Sequence, residues 1–207
     1  MTNQIRSLSL LVIGGSTVLG SLNHPSFVTQ ALQKEKRISI RKIAEPNIRL
    51  EKVLGYMRQM PDLHFDYCVV QLGSGDSQLV NRFCGRRNSE ELHSKFIKWV
   101  PFLSIPNTRP AKYLEELEEL IQSLNNHNVP VIWIVTLLGN SRHIRYRNLR
   151  KLYCADLPKS CRVKLFRVID LNELLTGPEV SSDSVHPTFL GQQKIWQTLK
   201  EYCFSTE

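Results

Sequence analysis

Three short stretches of this chain carry residue types that can do chemistry together. They are Gly14-Gly15-Ser16-Thr17-Val18-Leu19-Gly20, Gly73-Ser74-Gly75-Asp76 and Asp183-Ser184-Val185-His186-Pro187. A serine hydroxyl is a weak nucleophile at neutral pH. It needs a base in reach and a third group that holds the base in the right tautomer. Asp183 and His186, three apart on one loop, supply both, with Ser16 as the nucleophile. Two phosphate-binding glycine motifs are excluded. A P-loop requires Lys and then Ser or Thr after its last glycine, whereas Ser21 and Leu22 follow Gly20. The dinucleotide pattern G-x-G-x-x-G does not match the spacing. Two plainer readings stay open: a strand–helix turn that merely needs glycines, and a helix-capping Asp beside a chance histidine. With only six histidines in the chain, and His186 at a strand exit, the functional reading is preferred.

These stretches need elements that bring them together. Ser9 to Ile13 is a continuous apolar run that stops at Gly14, the pattern of a buried strand entering a tight turn. Further strands are expected at Ile38 to Ala44, Tyr67 to Leu72, Val129 to Leu138 and Val163 to Leu171. Helices are expected at Pro25 to Lys34, around Leu50, Val53, Leu54 and Met57, and at Ala111 to Leu124, Arg142 to Cys154 and Phe189 to Tyr202. Residues 77–110 are the least regular part, with a short helix expected from Ser89 to Trp99. The chain reads as one domain over residues 1–207, with an insertion at about 77–110. Alternating strands and helices imply a mainly parallel sheet with helices on both faces. Ligands of such sheets bind just beyond the carboxyl ends of the strands, where all three chemical stretches fall.

The composition excludes a disordered, collagenous or coiled-coil chain. The formal net charge is +8, with Lys and Arg crowded between Arg82 and Lys112 and between Arg142 and Arg167. A basic surface suits anionic partners, or only keeps a solvated face in water. Nucleic acid is not an expected partner, because no recognisable binding module is present. The five cysteines fit no zinc motif. Free thiols suit a reducing compartment, so a cytoplasmic location is expected. Leu8 to Ile13 reads as a strand rather than a signal peptide, and no stretch is long and apolar enough to span a bilayer. His24, His64, His93 and His127 have no partner pattern and are read as surface residues.

The ordered set of motifs resembles the SGNH, or GDSL-like, hydrolase superfamily. Its serine block G-D-S-x-x-x-G is matched by Gly14 to Gly20, with Gly15 in place of Asp. Its G-x-N-D block is matched by Gly73 to Asp76, with Gly75 in place of Asn. Its D-x-x-H block is matched by Asp183 to His186, followed by Pro187, Gly191 and an apolar helix. The resemblance implies a flavodoxin-like three-layer α/β/α sandwich with a five-stranded parallel sheet of order 2-1-3-4-5. It implies ester hydrolysis or O-acyl transfer through an acyl-Ser16 intermediate, with His186 moving the proton, Asp183 orienting His186, and no cofactor or metal. Small-molecule or glycan esters are the implied substrates, and a CoA thioester is an acyl donor that the basic segments would suit. The departures bear on the oxyanion hole. Gly75 has no side-chain donor, and no second-block glycine is evident, since Gly55 sits inside an apparent helix. Gly15, Gly73 and Gly75 on the backbone and the Asn140 side chain are the candidate contacts near the oxyanion. Arg142 and Arg145 are the candidates for an anionic substrate group. Arg82, Arg86 and Arg87 could also face the pocket, and Trp99 and Phe102 could form a lid. A degenerate domain of this kind, binding a ligand or protein without turnover, is the alternative from another class.

Overall fold

The structure, a computed structural model, describes residues 7–20, 25–35, 37–60, 63–81, 104–139 and 144–204. Five strands form one parallel sheet: β1 (Leu8–Gly14), β2 (Ile38–Ala44), β3 (Tyr67–Gln71), β6 (Val131–Val135) and β7 (Arg167–Asp170). Their order is β2-β1-β3-β6-β7. That is the expected 2-1-3-4-5 arrangement once a separate antiparallel pair, β4 (Leu79–Asn81) and β5 (Ser104–Pro106), is set aside. The pair lies within the expected insertion, where no strand was anticipated. The short helix expected at Ser89 to Trp99 lies outside the described residues.

The alternation of side chains along β1 builds two cores. Leu11 and Ile13 join Val70 and Trp133 on one face, under α3 (Leu50–Met57) and α4 (Pro110–Asn126). Leu10 and Val12 join Val69, Ile132 and Ile134 on the other, under α2 (Phe27–Lys34) and α8 (Phe189–Phe204). Strands covered on both faces must be apolar throughout, and every residue of β6 is buried. Helix α4 buries Tyr113, Leu117, Leu120, Ile121 and Leu124 as one stripe. Pro110 opens that helix, where its missing N–H costs nothing.

Two expectations are corrected. The fifth strand is only Arg167–Asp170, because Val163 and Leu165 pack as partly buried loop residues against the first core instead of pairing, and Leu171 already opens the short helix α7 (Leu171–Leu174). The basic helix is three pieces: α5 (Ile144–Lys151), a π-helical turn (Leu152–Asp156) and α6 (Leu157–Ser160), with Pro158 inside the last. Among the described residues no helix is long and apolar enough to cross a membrane.

Candidate active site

Strand β1 must stop at Gly14. A Cβ there would lie 2.5 Å from Val18 Cγ2 and 3.0 Å from the Gln71 carbonyl. The chain turns at Gly15 into the four-residue helix α1 (Ser16–Leu19), whose Val18 and Leu19 amides donate to the Gly15 carbonyl at 3.1 Å. Ser16 is therefore presented as an exposed side chain beyond the carboxyl end of the sheet's second strand in spatial order.

At the same end, a loop after β7 is closed by the Ser181 amide donating to the His186 carbonyl at 2.9 Å and by a bridge between Val180 and Pro187. Within it Asp183 Oδ1 accepts from the amides of Val185 and His186 at 2.8 and 2.9 Å, and from the Ser181 hydroxyl. Asp183 Oδ2 lies 2.6 Å from His186 Nδ1, and His186 Nε2 lies 2.8 Å from Ser16 Oγ. The three side chains form one hydrogen-bonded series. Partial desolvation pushes the Asp183 pKa up, but its bonds from His186, Ser181 and the two amides outweigh that and hold the carboxyl well below the usual carboxylate range. It stays ionised, as a group that orients a histidine must.

Gln192, in the first turns of α8, links the two loops and was not singled out from the sequence. It is buried, its Oε1 accepts from the Phe27 amide at 2.9 Å, and its Nε2 donates to the Thr17 carbonyl at 3.2 Å. Its only signal in the sequence is a polar residue on the buried stripe of an amphipathic helix. A cavity of about 310 Å³ opens beside the series, lined by Ser16, Thr17, Gly20, Ser181, Asp183, His186, Pro187 and Gln192.

The loops after β2 and β3 complete the site, and they explain Gly75. A Cβ at Gly75 would lie 2.5 Å from the Ile48 carbonyl oxygen and closer still to that of Asn47. The two loops touch backbone to backbone, so no asparagine fits at 75. Asp76 locks the contact: its carboxylate accepts from the Leu50 amide at 3.1 Å and the Thr108 hydroxyl at 2.6 Å. Gly73, at φ +97°, takes a conformation that only glycine adopts easily, and its Cβ position meets the Tyr153 carbonyl at 2.8 Å. Gly15 is different, for a Cβ there meets only the Glu45 carbonyl at 3.8 Å and Ser74 Oγ at 3.9 Å, ordinary contacts. We therefore expect Gly75→Asn to destabilise the fold by about 3 kcal/mol, the upper end of overpacking costs, and not to raise activity. Gly15→Ala is expected to be much milder. Denaturant titration of both variants checks the contrast.

The loop after β2 was not identified as a site element. Asn47 there adopts φ +53°, a left-handed conformation in which Asn stands in for glycine. Gly55 lies inside α3. Arg145 is exposed on α5, while Asn140, Arg142, Arg82, Arg86, Arg87, Trp99 and Phe102 lie outside the described residues. His64 and His127 are exposed, as expected; His24 and His93 also fall outside them.

Asp76 gives the site a pH signature. Burial pushes its carboxyl up to about 6, against the lowering effect of the Thr108 and Leu50 bonds. A folded-state value above the unfolded one, near 3.9, means the folded protein holds a proton that the unfolded chain has released. Stability from this group is thus complete below about pH 4 and is lost as pH rises through about 6. Asp76→Asn should remove that component. Urea unfolding from pH 4 to pH 7 should show wild type losing roughly 2–3 kcal/mol relative to the variant; parallel profiles would contradict it.

No known sequence family and no curated protein matches this chain. Solved structures do. An acetyl xylan esterase, AlAXEase, superposes with a TM-score of 0.63 at 12% identity, covering 94% of this chain and 99% of that one. A lipase/acylhydrolase from Enterococcus faecalis gives 0.61 at 16% identity, covering 94% of this chain and 96% of that chain. A GDSL-like lipase from Bacteroides thetaiotaomicron gives 0.63 at 12% identity, covering 96% and 89%. With the strand order, the spacing of the three motif loops and these near full-length superpositions, the chain has the SGNH-hydrolase fold.

Proposed function

We propose that this protein is a serine esterase, or an O-acyltransferase of the same chemistry, that works through an acyl-Ser16 intermediate. The observation that carries the reading is the series Asp183–His186–Ser16, with contacts of 2.6 and 2.8 Å. Ser16 Oγ attacks the ester carbonyl carbon while His186 Nε2 takes its proton. His186 then returns that proton to the leaving alkoxide, which departs as the alcohol. Asp183 holds Nδ1 as the donor and stabilises the imidazolium. Water, or a second alcohol, deprotonated by His186, then attacks the acyl-serine and releases the acid or the new ester. The structural neighbours, esterases and lipases by name, support ester bonds as the target class. The cavity of about 310 Å³ is at the small end of ligand pockets and supports a short acyl group.

The tetrahedral intermediate needs hydrogen-bond donors. The Ser16 amide is one. Ser74 supplies another in this reading, because its hydroxyl oxygen lies 3.9 Å from the Gly15 Cβ position, beside the Ser16 turn. Ser74→Ala is expected to lower kcat about 10–100-fold with KM little changed, less than the 10²–10³ typical of a fixed amide donor. Steady-state kinetics on an acetyl ester measures it, and an unchanged kcat would remove Ser74 from the oxyanion site.

The main test is rapid-quench kinetics with 4-nitrophenyl acetate. The reading requires a burst of nitrophenol equal to the enzyme present and an acetyl group on the peptide bearing Ser16. A second reading, a binding domain without turnover, is favoured by one observation: the side-chain donor usual at position 75 is excluded sterically. It predicts no burst and no adduct.

A further inference from the structure

Strand β2 forms one edge of the parallel sheet. It is seven residues long and contains no proline, and among the described residues no strand pairs with its outer side. Its main chain shows which groups are left over. The Leu8 amide donates to the Arg37 carbonyl, and the Glu45 amide donates to the Gly14 carbonyl. Odd-numbered residues of β2 therefore turn their N–H and C=O groups towards β1. Even-numbered residues, Ile40, Lys42 and Ala44, turn theirs to the free edge, because alternate residues of a strand face opposite neighbours. An edge of this kind is a template for another extended chain.

Beside that edge lies a cavity of about 380 Å³, lined by residues 41–45 of β2 and the loop after it and by Tyr56, Gln59 and Met60 at the end of α3. It shares no lining residue with the cavity at Ser16. Ile43 and Met60 are half-buried and give it an apolar floor. Its one carboxylate, Glu45, is already neutralised by Lys52 and accepts from the Tyr56 hydroxyl at 2.6 Å. Arg41 and Lys42 are exposed, and neither forms an ion pair among the described residues. The groove is thus electropositive, with one cation on each face of the strand, since successive side chains alternate. A second copy of β2 would bring like charges together, which disfavours pairing. A segment carrying carboxylates would be drawn to the same place.

We propose that the β2 edge is a docking site for an acidic, extended peptide segment of a partner protein, which adds to the sheet as a sixth strand. The outward main-chain groups of Ile40, Lys42 and Ala44 supply the ladder, and Arg41 and Lys42 select for carboxylates. This mode takes its affinity from main-chain bonds and its specificity from alternate side chains. It does not depend on the Ser16 chemistry, so Ser16→Ala should bind as wild type does.

Fluorescence anisotropy with a labelled, capped eight-residue peptide alternating threonine and glutamate tests it. Either register brings a carboxylate to Arg41 or to Lys42. Wild type should bind with Kd below about 100 µM at roughly 0.1 M salt. The lysine counterpart of the peptide should not bind, and the double variant Arg41→Glu/Lys42→Glu should weaken binding at least about tenfold. Lys42→Pro removes an outward N–H that the existing sheet does not use, a replacement that edge strands tolerate. It should lose about tenfold more than Lys42→Ala. Should Lys42→Pro fail to fold, a peptide with proline at its two central threonines asks the same question from the other side and should bind about tenfold more weakly. Absence of binding to wild type overturns the proposal. So does equal binding of the proline-bearing peptide, or of an octamer of galacturonate, because charge without strand pairing would then suffice. A wild-type dimer in sedimentation that Lys42→Pro dissolves would make a second copy the occupant and overturn it as well.

Discussion

Ser16→Ala is expected to lower kcat for ester cleavage on the order of 10⁶-fold, the effect of deleting the nucleophile from a serine triad. The hydroxyl is both the attacking atom and the group that becomes acylated, so no neighbour replaces it. Thr17, next in sequence, is buried with its carbonyl held by Gln192. The fold should be unaffected: Ser16 is exposed, and the bonds that shape its turn use main-chain atoms of Gly15, Ser16, Val18, Leu19 and Gly20. A variant with unchanged unfolding and kcat within tenfold of wild type would mean that another group does the chemistry.

Asp183→Asn is the second large effect, about 10⁴-fold in kcat with KM nearly unchanged. The amide keeps an oxygen to accept from the Val185 and His186 main-chain N–H groups, as Oδ1 does now, so the loop should retain its shape. What is lost is a negative oxygen 2.6 Å from His186 Nδ1. An amide nitrogen there favours the tautomer with the proton on Nε2, which cannot accept from Ser16. Steady-state kinetics on a short-chain acetyl ester measures the loss. A small loss would mean that His186 is oriented by the loop backbone alone.

Much of the architecture is legible in the sequence, for a physical reason. Strands buried on both faces read as unbroken apolar runs, and Leu8–Gly14 and Val131–Val135 do so. Putting Ser16 at the carboxyl end of the sheet follows from its coming just after β1, whereas Asp183 and His186 return to that end only after the helical turns Leu171–Leu174 and Gly177–Glu179 that follow β7. What is hidden depends on contacts distant in sequence. Gly75 looks like a missing asparagine until the Asn47–Ile48 backbone is seen to fill its Cβ position. Asn47 looks like a loop residue until its positive φ is known. Arg150 looks like one more charge on a basic helix, because its burial is set by packing that no helical period reveals. The fifth strand is shorter than its apolar run suggests because Val163 and Leu165 are apolar for core packing rather than for pairing.

A fluorophosphonate probe reads directly whether Ser16 is an activated nucleophile. Stoichiometric covalent labelling of wild type at Ser16 is expected, with none of Ser16→Ala, and labelling slowed at least about 10³-fold in His186→Ala, which lacks the base. No labelling of folded wild type, or equal labelling of wild type and Ser16→Ala, would contradict it.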